Sequence, residues 1–236
     1  MPTLGSDAAL AYRDAALPPS RTPWREVVFS VIDFETTGLD PAADEIISFA
    51  AVTVAGGKVL LDDARYEMVQ PTRMPDADTI RIHGLRETDL ANAPPLSERI
   101  DGLLEALTGR ALVAHVAAVE RGFLGAALSP LGLKLRNPIV DTAALDRELR
   151  RLRRDPPVRD PVGLSDLARS LGLPVHRPHH ADGDAFTTAQ AFIALATHLE
   201  SREDPLTLGG LQKVNGRRDR YPGAGAIRRL MRRLRL

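Results

Sequence analysis

Val31-Ile32-Asp33-Phe34-Glu35-Thr36-Thr37-Gly38 is the stretch around which the rest of this chain is organised. The apolar run Val27-Val28-Phe29-Ser30-Val31-Ile32 leads into it and reads as a buried strand, ending in two carboxylates at i and i+2. Successive strand residues alternate between faces, so Asp33 and Glu35 project from one face while Phe34 packs on the other. Two acids aimed at one point repel unless a proton or a cation sits between them, and a divalent metal is the natural occupant. A bare Asp-x-Glu also suits a strand that merely runs out into a solvated turn, with Thr36-Thr37-Gly38 as turn residues. The choice between the two is made far downstream.

The 236 residues are enough for one large domain with appendages, and a hydrophobic fraction of 44% with 26% charged residues is that of an ordinary soluble protein. Lysine plus arginine balance aspartate plus glutamate at 31 each, so affinity for nucleic acid has to come from a local patch. The absence of cysteine excludes disulfides and thiolate metal sites. No apolar run approaches a membrane span, and the N-terminus, with Asp7 and Asp14 among alanines, lacks a signal-peptide pattern. A cytoplasmic protein with no membrane contact is expected.

An alanine-rich helix over 6–17 is broken by Pro18-Pro19, and this arm, residues 1–23, lies outside the core pattern. Strands at 46–54 and 58–69 form a hairpin around Gly56-Gly57. A turn segment at 79–84 precedes a helix over 96–107, which Gly109 closes. Short strands at 111–114 and 138–140 alternate with helices over 116–131, from 141 onward, 165–171 and 182–199, with an arginine-rich loop at 150–161. Three hairpin-linked strands followed by alternating strands and helices predict a mixed α/β sheet flanked by helices, over 24–200. The rest, 201–236, is a tail crowded with arginine beyond 216, read either as a basic amphipathic helix or as a solvated segment.

Three later features converge on the opening acids. His115 to Glu120 puts an acid on the helix after the fourth strand, His179 to Asp184 sets an imidazole five residues before an acid at a helix start, and Asp141-Thr142 follows the fifth strand. Groups at the carboxyl ends of neighbouring strands share one cavity, so Asp33, Glu35, Glu120 and Asp184 are expected together. On these residues the chain resembles the exonuclease family that includes the proofreading epsilon subunit of bacterial DNA polymerase III, RNase T and oligoribonuclease. Asp33 to Leu39 and His179 to Ala185 match its first and third motifs closely; the second, around His115 and Glu120, matches loosely. Ile82-His83-Gly84 and Asp141-Thr142 fall where relatives carry similar residues. The resemblance covers about 27–199. The family usually has Asp where this chain has Glu120, and Asn and Phe where it has Val116 and Val119.

The resemblance implies a ribonuclease H-like five-stranded sheet and a two-metal mechanism with Mg2+, for which Mn2+ is able to substitute. Carboxylates and water are the ligands that Mg2+ prefers. Asp33 is expected to bridge the two ions, with Glu35, Asp184 and Glu120 completing their shells, and His179 to act as general base. His180 is the rival base; the five-residue interval favours His179. Thr36, Gly38 and Leu39 would hold the terminal nucleotide, each with a plain alternative as strand cap, turn glycine or core residue. The implied activity is release of nucleoside 5′-monophosphates from 3′ ends of single-stranded DNA or RNA. The competing expectation is a weakened or inactive nucleic-acid-binding or polymerase-associated module, motivated by Glu120 and by the basic tail, which would serve a polymerase or other protein partner. His115 reads as a structural histidine or one that supports the ligands rather than as a ligand itself, His83 as a turn residue near the site, and Asp44, Asp62, Asp63 and Asp182 as solvated loop acids.

Overall fold

In the computed structural model, which describes residues 6–156, 161–202 and 205–216, the run at 27–32 is the heart of a five-stranded sheet. Its strands are β1 (Phe29–Thr36), β2 (Ile46–Ala55), β3 (Lys58–Met68), β4 (Ala111–Ala114) and β5 (Ile139–Asp141). They lie in the order β3-β2-β1-β4-β5, with β1, β2 and β3 antiparallel and β4 and β5 added in parallel beyond β1. Gly56 and Gly57, both with positive φ, make the two-residue turn between β2 and β3 that such a hairpin requires. The helices are α1 (Asp7–Asp14), α2 (Ala77–His83), α3 (Glu87–Leu90), α4 (Leu96–Leu107), α5 (Ala118–Leu128), α6 (Thr142–Arg153), α7 (Leu164–Ser170), α8 (Ala181–Glu200) and α9 (Leu208–Gly216). Among the described residues no helix is long and apolar enough to cross a membrane.

The sheet is covered on both faces, which is why β1 reads as a continuous apolar run rather than an alternating one. On one face Ile32, Phe34 and Phe49 pack against Leu103, Leu104 and Leu107 of α4 and Phe123, Leu124 and Leu128 of α5. On the other, Phe29, Val31, Ala50 and Val113 pack against Leu145 of α6 and Ala185, Ala189, Phe192 and Leu195 of α8. Strand parity continues Phe29 and Val31 as Asp33 and Glu35, so the two acids leave β1 on the α8 side.

Four local readings need correction. The arm at 6–17 is part of a core: Ala9 and Tyr12 are buried beside α4, and the Tyr12 hydroxyl donates to Asn137 Oδ1 at 2.8 Å. The segment at 79–84 is the end of helix α2, whose Asp76 cap accepts from Thr79 N–H and whose Gly84 closes it at φ +73°. Helix α6 runs on to Arg153, supported by Asp146–Arg150 and Glu148–Arg151 pairs one turn apart, and so takes up the start of the arginine-rich loop. Helix α5 begins after Val116, because Val116 itself sits at φ +59°. Beyond α8, Leu206, Leu208 and Leu211 are buried in the second core, and Trp24 N–H donates to Leu206 O at 2.9 Å. The arginines at 217–235 lie outside the described residues.

Candidate active site

The carboxyl end of β1 supplies the first two acids. Asp33 stands opposite Ala50 and Glu35 opposite Ser48 on β2, and the ladder shifts between Glu35 and Thr36, turning the chain into the 36–39 segment. Asp184 arrives from the first turn of α8. Carboxylate oxygens of Asp33, Glu35 and Asp184 lie within 4.8 Å of one another. Asp184 is held by His179 N–H, which donates to its Oδ2 at 2.9 Å. This contact needs the 176–180 segment pressed against α8, and Gly183 makes that approach possible: a Cβ there would lie 2.2 Å from His176 O and 2.6 Å from Arg177 O.

Glu120, in the first turn of α5, lines the same cavity but is not one of the three clustered acids. Its side chain is 5% exposed and its Oε2 has no hydrogen-bond partner. Burial pushes its carboxyl up to about 8. Burial also raises Glu35, with the Asp184 charge adding to it, and raises Asp184. Asp33 lies well above the usual carboxylate range, through burial first and then the charges of Asp184, Glu35 and Glu120. Among the described residues no lysine or arginine pairs with any of the four. At neutral pH such a group ionises fully only with a cation among its oxygens, and oxygen-only donors suit a hard divalent ion.

The cavity is about 500 Å³. One wall is the 36–39 turn, another is Thr79, Ile82 and His83 of α2, a third is Val116, Val119 and Glu120, and a fourth is the start of α7 from Gly163 to Asp166. Thr36, Gly38 and Leu39 thus line the same cavity as the acids. The turn is braced internally: the Thr36 hydroxyl donates to Gly38 O at 2.5 Å, and Asp44 Oδ2 accepts from Asp40 N–H at 2.8 Å. A Cβ on Gly38 would meet that Asp44 carboxylate at 2.5 Å. Asp44 is therefore the strut of the turn rather than a solvated loop acid.

Of the two candidate bases, His179 lines the cavity and His180 does not. Burial and the nearby His180 lower the pKa of His179, which favours the neutral imidazole that accepts a proton. His115 is held at both nitrogens, 2.9 Å from Thr142 Oγ1 and 2.9 Å from Val162 O, the structural part expected for it. His83, expected as a turn residue near the site, is the last residue of α2 and lines the cavity. It is 2% exposed, its Nδ1 accepts from Leu85 N–H at 3.0 Å, and its Nε2 therefore carries the proton, with no partner. Burial lowers its pKa to about 4, leaving a neutral donor on the cavity wall. The sequence signal for it was the Ile82-His83-Gly84 match.

A sequence profile for the family described as Exonuclease (RNase_T) matches residues 30–192. The chain belongs to this exonuclease family. The match takes in β1 with Asp33 and Glu35, α5 with Glu120, and α8 through Asp184. Relatives include the PolC-type DNA polymerase III of Thermotoga maritima, 34% identical over 169 residues that cover 71% of this chain and 12% of the relative. A DNA polymerase III subunit epsilon-like protein of Rhodobacter capsulatus is 31% identical over 201 residues, 84% of this chain and 26% of the relative. The DNA polymerase III subunit epsilon of Treponema pallidum is 31% identical over 175 residues, 73% of this chain and 78% of the relative. The chain thus spans only a small part of the larger relatives. The exonuclease fold recurs in solved structures: Exonuclease X in complex with 5′ overhanging duplex DNA has a TM-score of 0.59 at 23% identity, over 78% of this chain and 99% of that one. E. coli Exonuclease I in complex with a dT13 oligonucleotide has a TM-score of 0.63 at 18% identity, over 75% and 42%. At these identities the likeness concerns the fold, and it matches the ribonuclease H-like mixed sheet expected from the sequence.

Proposed function

We propose that this exonuclease acts from the 3′ end of single-stranded DNA or RNA, hydrolysing one phosphodiester at a time and releasing nucleoside 5′-monophosphates. The observation that carries the reading is the meeting of Asp33, Glu35 and Asp184 oxygens within 4.8 Å in a cavity of about 500 Å³. A volume in the range of small-ligand sites, about 300–1,000 Å³, suits one nucleotide in an unpaired strand. Membership of the family implies a divalent metal, and the donor set fits Mg2+ or Mn2+: all oxygens, with Glu120 Oε2 still unpartnered. Two such ions, when bound, make water a better nucleophile and offset the charge on the departing 3′-oxygen.

The protein's own groups have separate tasks in this scheme. Asp33, Glu35, Asp184 and Glu120 would hold the ions, with Asp33 as the ligand common to both. His179 accepts the proton of the attacking water as the new O–P bond forms and the bond to the 3′-oxygen breaks. The braced turn at Thr36, Gly38 and Leu39 seats the last nucleotide, Leu39 against its base, and the His83 Nε2–H supplies a further donor from the cavity lining. Association with a polymerase belongs to the same proposal, supported by relatives that are named as DNA polymerase III proteins. The arginine-rich tail, expected as a contact for a protein partner or nucleic acid, lies outside the described residues.

A second reading, a weakened module that binds without cutting, is favoured by one fact: Glu120 stands outside the three-acid cluster. The test is an assay on DNA and RNA strands labelled at either end, with Mg2+, Mn2+ or EDTA, alongside Asp33→Ala and Glu120→Asp. Metal-dependent shortening from the 3′ end that Asp33→Ala abolishes is expected. Inactivity of the wild type with activity in Glu120→Asp would establish the second reading instead.

A further inference from the structure

Val116 is a buried, β-branched residue in left-handed backbone, φ +59°, at the point where β4 gives way to α5. Positive φ is uncommon for any L residue and a real outlier for a β-branched one, so something outside the residue has to hold it. The Val116 N–H donates to Asp141 Oδ1 at 3.1 Å, and the same oxygen accepts from Ala143 N–H at 2.9 Å. Asp141 is 1% exposed and lies level with Ala114 in the parallel pairing of β4 and β5, which brings the end of β5 beside the turn. One buried carboxylate oxygen thereby ties the β4–α5 turn to the start of α6. From Val116 the chain closes at once into helix, Val119 N–H donating to Val116 O at 3.1 Å, and Glu120 follows in the first turn.

We propose that Asp141 is a positioning residue for Glu120: by holding Val116 in left-handed backbone it sets where α5 begins, and so where the fourth carboxylate of the site stands. Valine does not enter this conformation unaided, and Asp141 supplies the constraint that the side chain itself disfavours. What Glu120 does once placed rests on the function proposed above. Its placement has a readout of its own.

The test separates the Val116 contact of Asp141 from its cap on α6. Asp141→Ser keeps a cap for Ala143 N–H, since serine is a good N-cap, but is too short to reach Val116 as well. Three measurements are made on wild type, Asp141→Ser, Asp141→Ser with Val116→Gly, and Asp141→Asn: Mn2+ affinity by calorimetry, amide exchange over residues 116–121, and steady-state hydrolysis of an oligonucleotide. Asp141→Ser is expected to lose about tenfold or more in Mn2+ affinity and kcat, the usual range for groups that orient metal ligands, with KM little changed. Exchange in the first turn of α5 should quicken. Adding Val116→Gly should restore most of the loss, because glycine adopts positive φ unaided, and Asp141→Asn, which keeps an acceptor, should stay near wild type. Wild-type Mn2+ affinity and exchange in Asp141→Ser would overturn the proposal. So would a loss that glycine does not repair, since Asp141 would then be supporting the fold at large. If the wild type binds no Mn2+, the functional reading fails, and the exchange rates alone decide the placement.

Discussion

Replacing Glu120 by glutamine should make the metal-free protein more stable, by an amount that grows with pH. The carboxyl is 5% exposed, and burial holds it at about 8 in the folded chain, against an ordinary value of 4.5. Below pH 4.5 it is protonated in both states and differs little from the neutral amide. Above that the unfolded chain ionises while the folded one keeps its proton, so wild-type stability falls as pH rises and levels off beyond pH 8. A gap of about 3.5 pH units at about 1.4 kcal/mol per unit sets a ceiling of about 5 kcal/mol. Relaxation and water entry reduce this, and a gain of at least about 2 kcal/mol for Glu120→Gln at pH 8.5 is expected. Urea unfolding in EDTA at pH 4.5, 6.5 and 8.5 measures it. The two proteins should unfold together at the lowest pH and separate steadily above it. With excess Mg2+ the order should reverse, because a cation bound to the folded wild type stabilises it by mass action. A pH-independent difference in EDTA would refute the reasoning, since Glu120 would then not be an acid whose burial raises its pKa.

Three other outcomes follow from the geometry. Gly183→Ala places a methyl against His176 and Arg177 carbonyl oxygens, so the 176–180 segment has to move off α8; kcat should fall at least about tenfold and stability by about 1–3 kcal/mol, read by steady-state kinetics and urea unfolding. The acidic limb of the pH dependence of kcat/KM should lie below pH 6.5, because the neutral form of His179 persists below its ordinary value, and His179→Ala should remove that limb along with most of the rate. Tyr12→Phe should cost about 1–2 kcal/mol in thermal unfolding, since it leaves the buried Asn137 Oδ1 without its donor, while activity at low temperature is unchanged.

Much of the fold was legible because it rests on local pattern. The limits of α4 agree with its apolar period and its closing glycine, and the hairpin of β2 and β3 with its Gly-Gly turn. Strand parity alone put Asp33 and Glu35 on one face. Features that depend on a partner surface were not legible. Helix α1 buries only Ala9 and Tyr12, too few to show a period, and Leu206, Leu208 and Leu211 reveal themselves only against the second core. Helix α2 has seven residues, under two turns of pattern. At the site, the acids were recognisable by type and spacing, but the separation of Glu120 from the other three is set by tertiary packing, and nothing about a valine announces the positive φ of Val116. The roles of Asp44 and His83 are likewise tertiary: each is defined by what lies across from it.

The packing of α1 on α4, and of Leu206 to Leu211 on the opposite core, bears on how this protein can be cut for laboratory use. A fragment trimmed to the family-matched span, 30–192, would lose Trp24 and Leu206, which are buried against the same core as α8, and would uncover α4 where Tyr12 rests. Both newly bare surfaces are apolar, and both support the layers that carry the four acids. Such a fragment should aggregate or bind metal poorly for reasons unrelated to its chemistry, so expression boundaries are better drawn outside Ser6 and Gly216 than at the edges of the family profile.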